Sequence, residues 1–220
     1  MDHAAFAIAA IVIIAAAITA ITIAIATLCS KDSGSSGARG ARCELRWFTP
    51  EHKRVGTMGE RAAQRAVSSV LREGDHLFTN VCVEFDGRSA ELDLVVVNKY
   101  GVFIIEVKNY TGHIVGSEND GEWLKYKTTP AGMTYEKTVR NPIKQVNRQV
   151  YLLARYLEGC GARAWVTGYA LLLNGTSPVE SERVLNGTEA IDRAIHTAGR
   201  FPLSAKTVER LARLLACLNS

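Results

Sequence analysis

The sequence contains no Cys-x-x-Cys pair and no cluster of cysteine with histidine, which excludes the common structural zinc sites. Its five cysteines, Cys29, Cys43, Cys82, Cys160 and Cys217, are odd in number and widely spaced. That pattern argues against a disulfide framework and for reduced, mostly buried thiols in a cytosolic domain. Neither sign of charge dominates: 26 Lys and Arg stand against 22 Asp and Glu, for a net charge of +4. Such a balance permits a polyanion partner without demanding one. There is no internal repeat, so no solenoid is expected, and the apolar opening segment has no GxxxG motif to pair membrane helices. The largest gap is in charge along the opening segment. From Ala4 to Cys29 the chain holds only Ala, Ile, Val, Phe, Leu, Thr and one Cys.

A helix of about 25 residues reaches roughly 37 Å, longer than the hydrocarbon core of about 30 Å, so residues 4–29 are expected to form a tilted transmembrane helix. Thr19, Thr22 and Thr27 are tolerable there because a helical hydroxyl can bond a carbonyl one turn back. A cleaved signal peptide fits less well, since no Lys or Arg precedes the run and the run is too long. Lys31, Arg39, Arg42 and Arg46 follow the helix, while Asp2 precedes it. Positive charge stays inside, so the expectation is a single-pass protein with its N-terminus outside and its C-terminal domain in the cytoplasm. The two sequons, Asn174-Gly175-Thr176 and Asn186-Gly187-Thr188, then read as turns.

Residues 30–42 are rich in Gly and Ser and read as a flexible linker. Residues 43–220 form the remaining domain, with its core at about 57–173. Thr57-Met58-Gly59-Glu60 fits a capping box opening a helix, with Ala63, Ala66, Val67, Val70 and Leu71 as its apolar stripe. A strand is expected over 76–85, then a hairpin of Ala90–Asn98 and Gly101–Asn109 turning at Lys99-Tyr100. A short strand is expected around Trp123–Lys127. Asn141-Pro142 opens a second helix, with Asn as cap and Pro in the first turn. Its buried face is Ile143, Val146, Val150, Leu153 and Leu157. A buried strand over 164–173 and a C-terminal helix bearing Val208, Leu211, Leu215 and Leu218 complete an α/β sandwich with a mixed central sheet.

The chemistry is concentrated in the hairpin. Glu91 and Asp93 share one face of their strand, and Glu106 and Lys108 one face of the next. Register decides whether those faces coincide. If Asn98 pairs with Gly101, Asp93 faces Glu106 and Glu91 faces Lys108; a one-residue slip puts the acids on opposite faces. Two opposed carboxylates amid Val, Ile, Leu and Phe repel one another and resist burial. A divalent cation offsets both costs. Carboxylate oxygens suit Mg²⁺, which keeps waters and takes one or two protein carboxylates plus phosphate oxygens. The Lys108 ammonium can then orient or help deprotonate the attacking water, or stabilise charge on the transition state. The plainer alternative is a solvated ion pair on an open sheet face. Glu60 has a plain reading too, as the third residue of the capping box, and Gln145 as an exposed helix residue. If the second helix extends back far enough, Lys137, Arg140, Lys144, Arg148 and Arg155 fall near one helical stripe, either a solvated face or a phosphate-binding track in which Lys144 and Arg148 contact nucleic acid.

These landmarks resemble a known family. Gly59-Glu60, Glu91-Leu92-Asp93-Leu94-Val95-Val96, Gly101 to Asn109, Gly112-His113-Ile114, Trp123, Asn141-Pro142 and Gln145 occur in the order of the nuclease-related domain, NERD, of the PD-(D/E)xK nuclease superfamily. The superfamily's Pro-Asp is absent, since Leu92 precedes Asp93. The resemblance implies a restriction-endonuclease-like fold, metal ligands at Asp93 and Glu106 holding Mg²⁺ or Mn²⁺, a catalytic Lys108, and supporting roles for Glu60 and Gln145. The expected function is a membrane-anchored, metal-dependent nuclease acting on DNA, with RNA as the lesser substrate. The alternative is a non-catalytic module on the same fold that binds nucleic acid or protein.

Overall fold

Long β-branched runs with tight turns between them make the stretch from His76 to Lys108 the framework of the domain. The computed structural model describes residues 50–129, 131–176, 179, 181–197 and 202–219, with side chains from residue 58 onward. The expected transmembrane helix (4–29) and linker (30–42) lie outside the described residues. Among the described residues, no helix is long and apolar enough to cross a membrane.

The elements in chain order are α1 (Pro50–Ser68), β1 (His76–Phe85), β2 (Arg88–Asn98), β3 (Gly101–Lys108), β4 (Gly112–Val115), β5 (Glu122–Thr128), β6 (Thr134–Arg140), α2 (Pro142–Gly159), β7 (Val166–Leu172), β8 (Gly175–Thr176), β9 (Val184–Leu185), α3 (Thr188–His196) and α4 (Ala205–Leu218). Five strands form the central sheet in the order β1-β2-β3-β7-β9. The β1, β2 and β3 pairings are antiparallel, whereas β3–β7 and β7–β9 are parallel. The fold is therefore mixed α/β, with a mixed central sheet flanked by helices, as expected.

Both sheet faces are apolar, which is why hydrophobic pattern alone could not fix the register. Val95, Val97, Val102 and Ile104 pack under α2 and α4 residues such as Leu153 and Leu211. Leu94, Val96, Phe103 and Ile105 pack under Ala63 and Val67 of α1 and Ile191 and Ile195 of α3. The turn settles the register: Asn98 pairs with Gly101, so opposed residues follow the in-phase alternative. Asn98 is buried and bonded at both amide atoms, its Nδ2 donating to Ile195 O at 2.9 Å and its Oδ1 accepting from Tyr100 N at 2.8 Å.

Helix α2 starts as its sequence predicts. Asn141 Oδ1 accepts from Ile143 N at 2.9 Å, and Pro142 occupies the first turn, where no N–H is needed. The helix lies unusually close to β7. A Cβ on Gly168 would meet Val146 Cγ1 at 2.0 Å and Val150 Cγ2 at 2.7 Å, so only glycine fits beneath it.

Three expectations are corrected. The first helix begins at Pro50, so Thr57 lies inside it and does not open a capping box. Lys137 and Arg140 lie on β6, not on a backward extension of α2; the alternating Tyr135, Lys137 and Val139 have the two-residue period of a strand. A second sheet, β6-β5-β4-β8, stands where only one strand was expected. Of the sequons, Gly175-Thr176 is a short strand, and Gly187, at φ 86°, precedes α3.

Candidate active site

The hairpin ladder between β2 and β3 ends at Leu94 opposite Ile105. One more step would oppose Asp93 with Glu106, and the next would oppose Leu92 with Val107. The chain does something else there. The Val107 N–H donates to Asp93 Oδ2 at 2.7 Å, so a side chain takes the place of the next rung. Strand β2 stays paired with β1 as far as Arg88. The β1–β2 pair therefore diverges from β3, and the expected Glu91–Lys108 pairing does not form. Glu91 is exposed. Asp93 and Glu106 come close enough to repel one another where the strands part, at what is termed the carboxylate cleft.

Helix α2 closes one side of that cleft. Glu106 is 3% exposed and accepts three hydrogen bonds. Its Oε1 accepts from Lys108 Nζ at 2.6 Å and from Gln145 Nε2 at 2.7 Å. Its Oε2 accepts from Gln149 Nε2 at 2.6 Å. Lys108 Nζ also donates to Gln145 Oε1 at 3.1 Å. Gln149 Nε2 reaches Glu91 O as well, at 3.0 Å, and so bridges the diverging strands. A buried polar group left without a partner costs about 1–3 kcal/mol, which makes Gln149 the residue that allows the ladder to break. Its own Oε1 is buried and has no partner.

Electrostatics tie the acids together. Burial pushes the Asp93 carboxyl up to about 7, and the nearby Glu106 and Glu60 push the same way against the Val107 hydrogen bond and Lys108. Burial also raises Glu60, with further upward pressure from Glu91 and Glu106. Glu60, on α1, is thus within electrostatic reach of the same acids. Lys108 is the opposite case. Burial works to lower it, but Glu106 and its hydrogen bond carry it above its usual value, so it remains an ammonium. Of the roles open to it from sequence, orienting and charge stabilisation fit this state better than proton abstraction.

The structure thus brings Glu60, Asp93, Glu106, Lys108 and Gln145 together. It keeps Lys144 and Arg148 on the exposed side of α2, with Arg148 Nη2 donating to Ser89 O at 3.1 Å. Arg155 stands apart, paired with Glu158 at 2.7 Å. Sequence reasoning missed Gln149. Its signal was visible: a glutamine three residues after Val146 and four before Leu153 sits within an apolar stripe, where an amide requires buried partners.

The donor set suits a hard divalent cation. Asp93 Oδ1 takes no hydrogen bond among the described residues, and Glu106 Oε2 retains a lone pair beyond that used by Gln149. A cation between them would relieve the mutual repulsion that raises Asp93. Among the described residues, no three Asp, Glu, His or Cys side chains are arrayed as a metal cage. Two carboxylates with water and substrate oxygens completing the shell is the arrangement Mg²⁺ favours.

Comparison with known proteins gives the family. The family model "Nuclease-related domain" matches residues 55–173. An uncharacterised protein of Bacillus anthracis is 28% identical over 104 residues, covering 47% of this chain and 47% of that protein. A probable kinase, PglW, of Streptomyces coelicolor is 36% identical over 132 residues, covering 56% of this chain but 8% of that protein. The chain thus spans about half the length of one relative and a small part of the other. No solved structure matches it. The family match takes in more than half of the sequence and encloses every acid and amide of the cleft, and on that ground the chain belongs to the nuclease-related domain family.

Proposed function

We propose that this protein is a membrane-anchored, divalent-metal-dependent nuclease of the restriction-endonuclease-like kind that hydrolyses phosphodiester bonds of DNA. The observation that carries the proposal is the proximity of Asp93 and Glu106 beside Lys108, which is ion-paired with Glu106. Asp93 and Glu106 would hold Mg²⁺ or Mn²⁺. When bound, the ion would polarise the phosphate and lower the pKa of the attacking water. The chain's own residues do the rest. Gln145 and Gln149 hold the Glu106 carboxylate in a fixed orientation. The Lys108 ammonium, on the same side as Glu106, stabilises negative charge that grows on the phosphoryl oxygens. Glu60, whose carboxyl is raised by burial and then by Glu91 and Glu106, would be placed to exchange a proton with water in the cleft. The transmembrane helix over 4–29 would keep the domain at the cytoplasmic membrane face.

A second reading has its own support. Glu106 is already satisfied by Lys108, Gln145 and Gln149, so the site is stable as it stands and would suit a domain that binds nucleic acid without cutting it. Fragment 43–220 should cleave DNA with Mg²⁺ and not with EDTA. Full activity of Asp93→Ala would end the metal mechanism. Salt-sensitive binding without cleavage, surviving Glu106→Ala, would favour the second reading.

A further inference from the structure

The second sheet carries a feature that the carboxylate cleft does not explain. Strands β5 and β6 are antiparallel, and Lys125 lies directly opposite Lys137. Like charges in that position are destabilising. Lys127, two residues along β5, shares their face. Among the described residues, none of the three lysines pairs with a carboxylate. The hairpin's own acids are on the other face, where Glu136 lies opposite Tyr126 and bonds its hydroxyl, and Glu122 lies opposite Arg140.

The lysine-bearing face has two halves. Near the domain it is apolar: Trp123, Val139 and Ile114 pack on Ile143 and Leu172. Farther out it is basic and largely uncovered. Tyr135, opposite Lys127, is 46% exposed, and Lys127 and Lys137 are exposed. The basic half adjoins the cleft. Lys125 Nζ lies 5.6 Å from the centre of the Tyr110 ring, and Tyr110 follows Lys108 by two residues and feels the charges of Lys108 and Glu106. Lys125 is held below its usual value by burial and by Lys127 and Lys137, the mark of a positive cluster awaiting a counter-charge.

We propose that the Lys125, Lys127 and Lys137 face of the β5–β6 hairpin, with Tyr135, grips the phosphate backbone of the nucleic-acid strand that enters the carboxylate cleft. Phosphates supply the repeating negative charge that three unpaired lysines require, and Tyr135 offers a ring on which a base can stack. The inference rests on the nuclease-type reading of the cleft and assigns its substrate-binding surface.

The test measures binding of full-length protein to a fluorescent DNA in EDTA, by anisotropy across a salt series. Lys127→Ala/Lys137→Ala should weaken binding at least about tenfold and reduce the salt slope by about 2, one unit per lost phosphate contact. Tm should be equal or higher, because removing either lysine relieves repulsion. Lys127→Arg/Lys137→Arg should restore both affinity and slope. Wild-type binding that the alanine variant matches in affinity and slope would overturn the hairpin assignment and leave the cleft reading intact. Absence of any salt-dependent wild-type binding would overturn both. An unchanged affinity for DNA together with lost affinity for polyglutamate would assign the face to an acidic protein instead and overturn the proposal.

Discussion

The two sheets solve opposite problems. The central sheet is covered on both faces by apolar side chains, and the buried Glu106 near the end of β3 is held by three donors. The second sheet is anchored at one end by Trp123 and then extends into solvent with like charges side by side. One region spends its polar bonds on fixing an acid within the core. The other leaves its charges unmatched. Preorganised chemistry and open electrostatic capture require these contrary designs.

That contrast can be broken from either side. The largest effect is expected at the acids: Asp93→Ala should lower Mg²⁺-dependent cleavage on the order of 10³-fold, the scale of losing one preorganised electrostatic contact at a reacting centre. Next comes packing. Gly168→Ala forces a methyl into Val146 and Val150, and chemical denaturation should show a loss of about 1–3 kcal/mol along with reduced cleavage, because α2 carries both glutamines. Gln149→Leu keeps the volume but strands Glu91 O and weakens the hold on Glu106. It should cost about 1–3 kcal/mol, with kcat falling more than KM rises.

Acidity gives a subtler test. Asp93 rises from 3.8 to about 7 on folding, so the native state holds its proton more tightly than the unfolded chain. In metal-free protein the contribution of Asp93 to stability, read as the Tm difference between wild type and Asp93→Asn, should therefore be greatest below about pH 4 and fall as pH rises to about 7. Saturating Mg²⁺ should flatten that slope. A wild-type advantage over Asp93→Asn that grows across this interval in EDTA would contradict the assigned environment. The smallest effect concerns the outer sheet: Lys137→Glu replaces a repulsive cross-strand pair with an attractive one, and should stabilise the protein by about 0.2–1 kcal/mol while weakening DNA binding.

Much of the inner region was legible in the sequence because its signals are local. The Asn98–Gly101 turn, the Asn141-Pro142 helix start and the E-x-K pattern each depend on residues close together in the chain. The pairing of acids across the hairpin followed from the turn alone. Its breakdown at Asp93 did not, because that depends on Gln149, more than forty residues away, supplying a donor to Glu91 O. The outer sheet was mostly missed for a related reason. Gly112–Val115 and Thr134–Arg140 are short or polar strands whose pairing is decided by tertiary contacts rather than by an apolar period. In α1, Thr57 and Glu60 had the spacing of a capping box, yet the helix continues through them. Glu60 lies within electrostatic reach of the other acids.

Asn141 joins the contrasting halves. While capping α2, its Nδ2 donates to Ser117 O, Glu118 O and Asp120 O at 2.8–3.2 Å, and its backbone N–H reaches Gly121 O at 3.2 Å. A single amide thus pins the loop leading into β5 to the turn from which Gln145 projects. Any tilt of the hairpin swings the root of α2 with it, so a strand seated on the lysines would transmit its pull through this pivot to the amide that steadies Glu106.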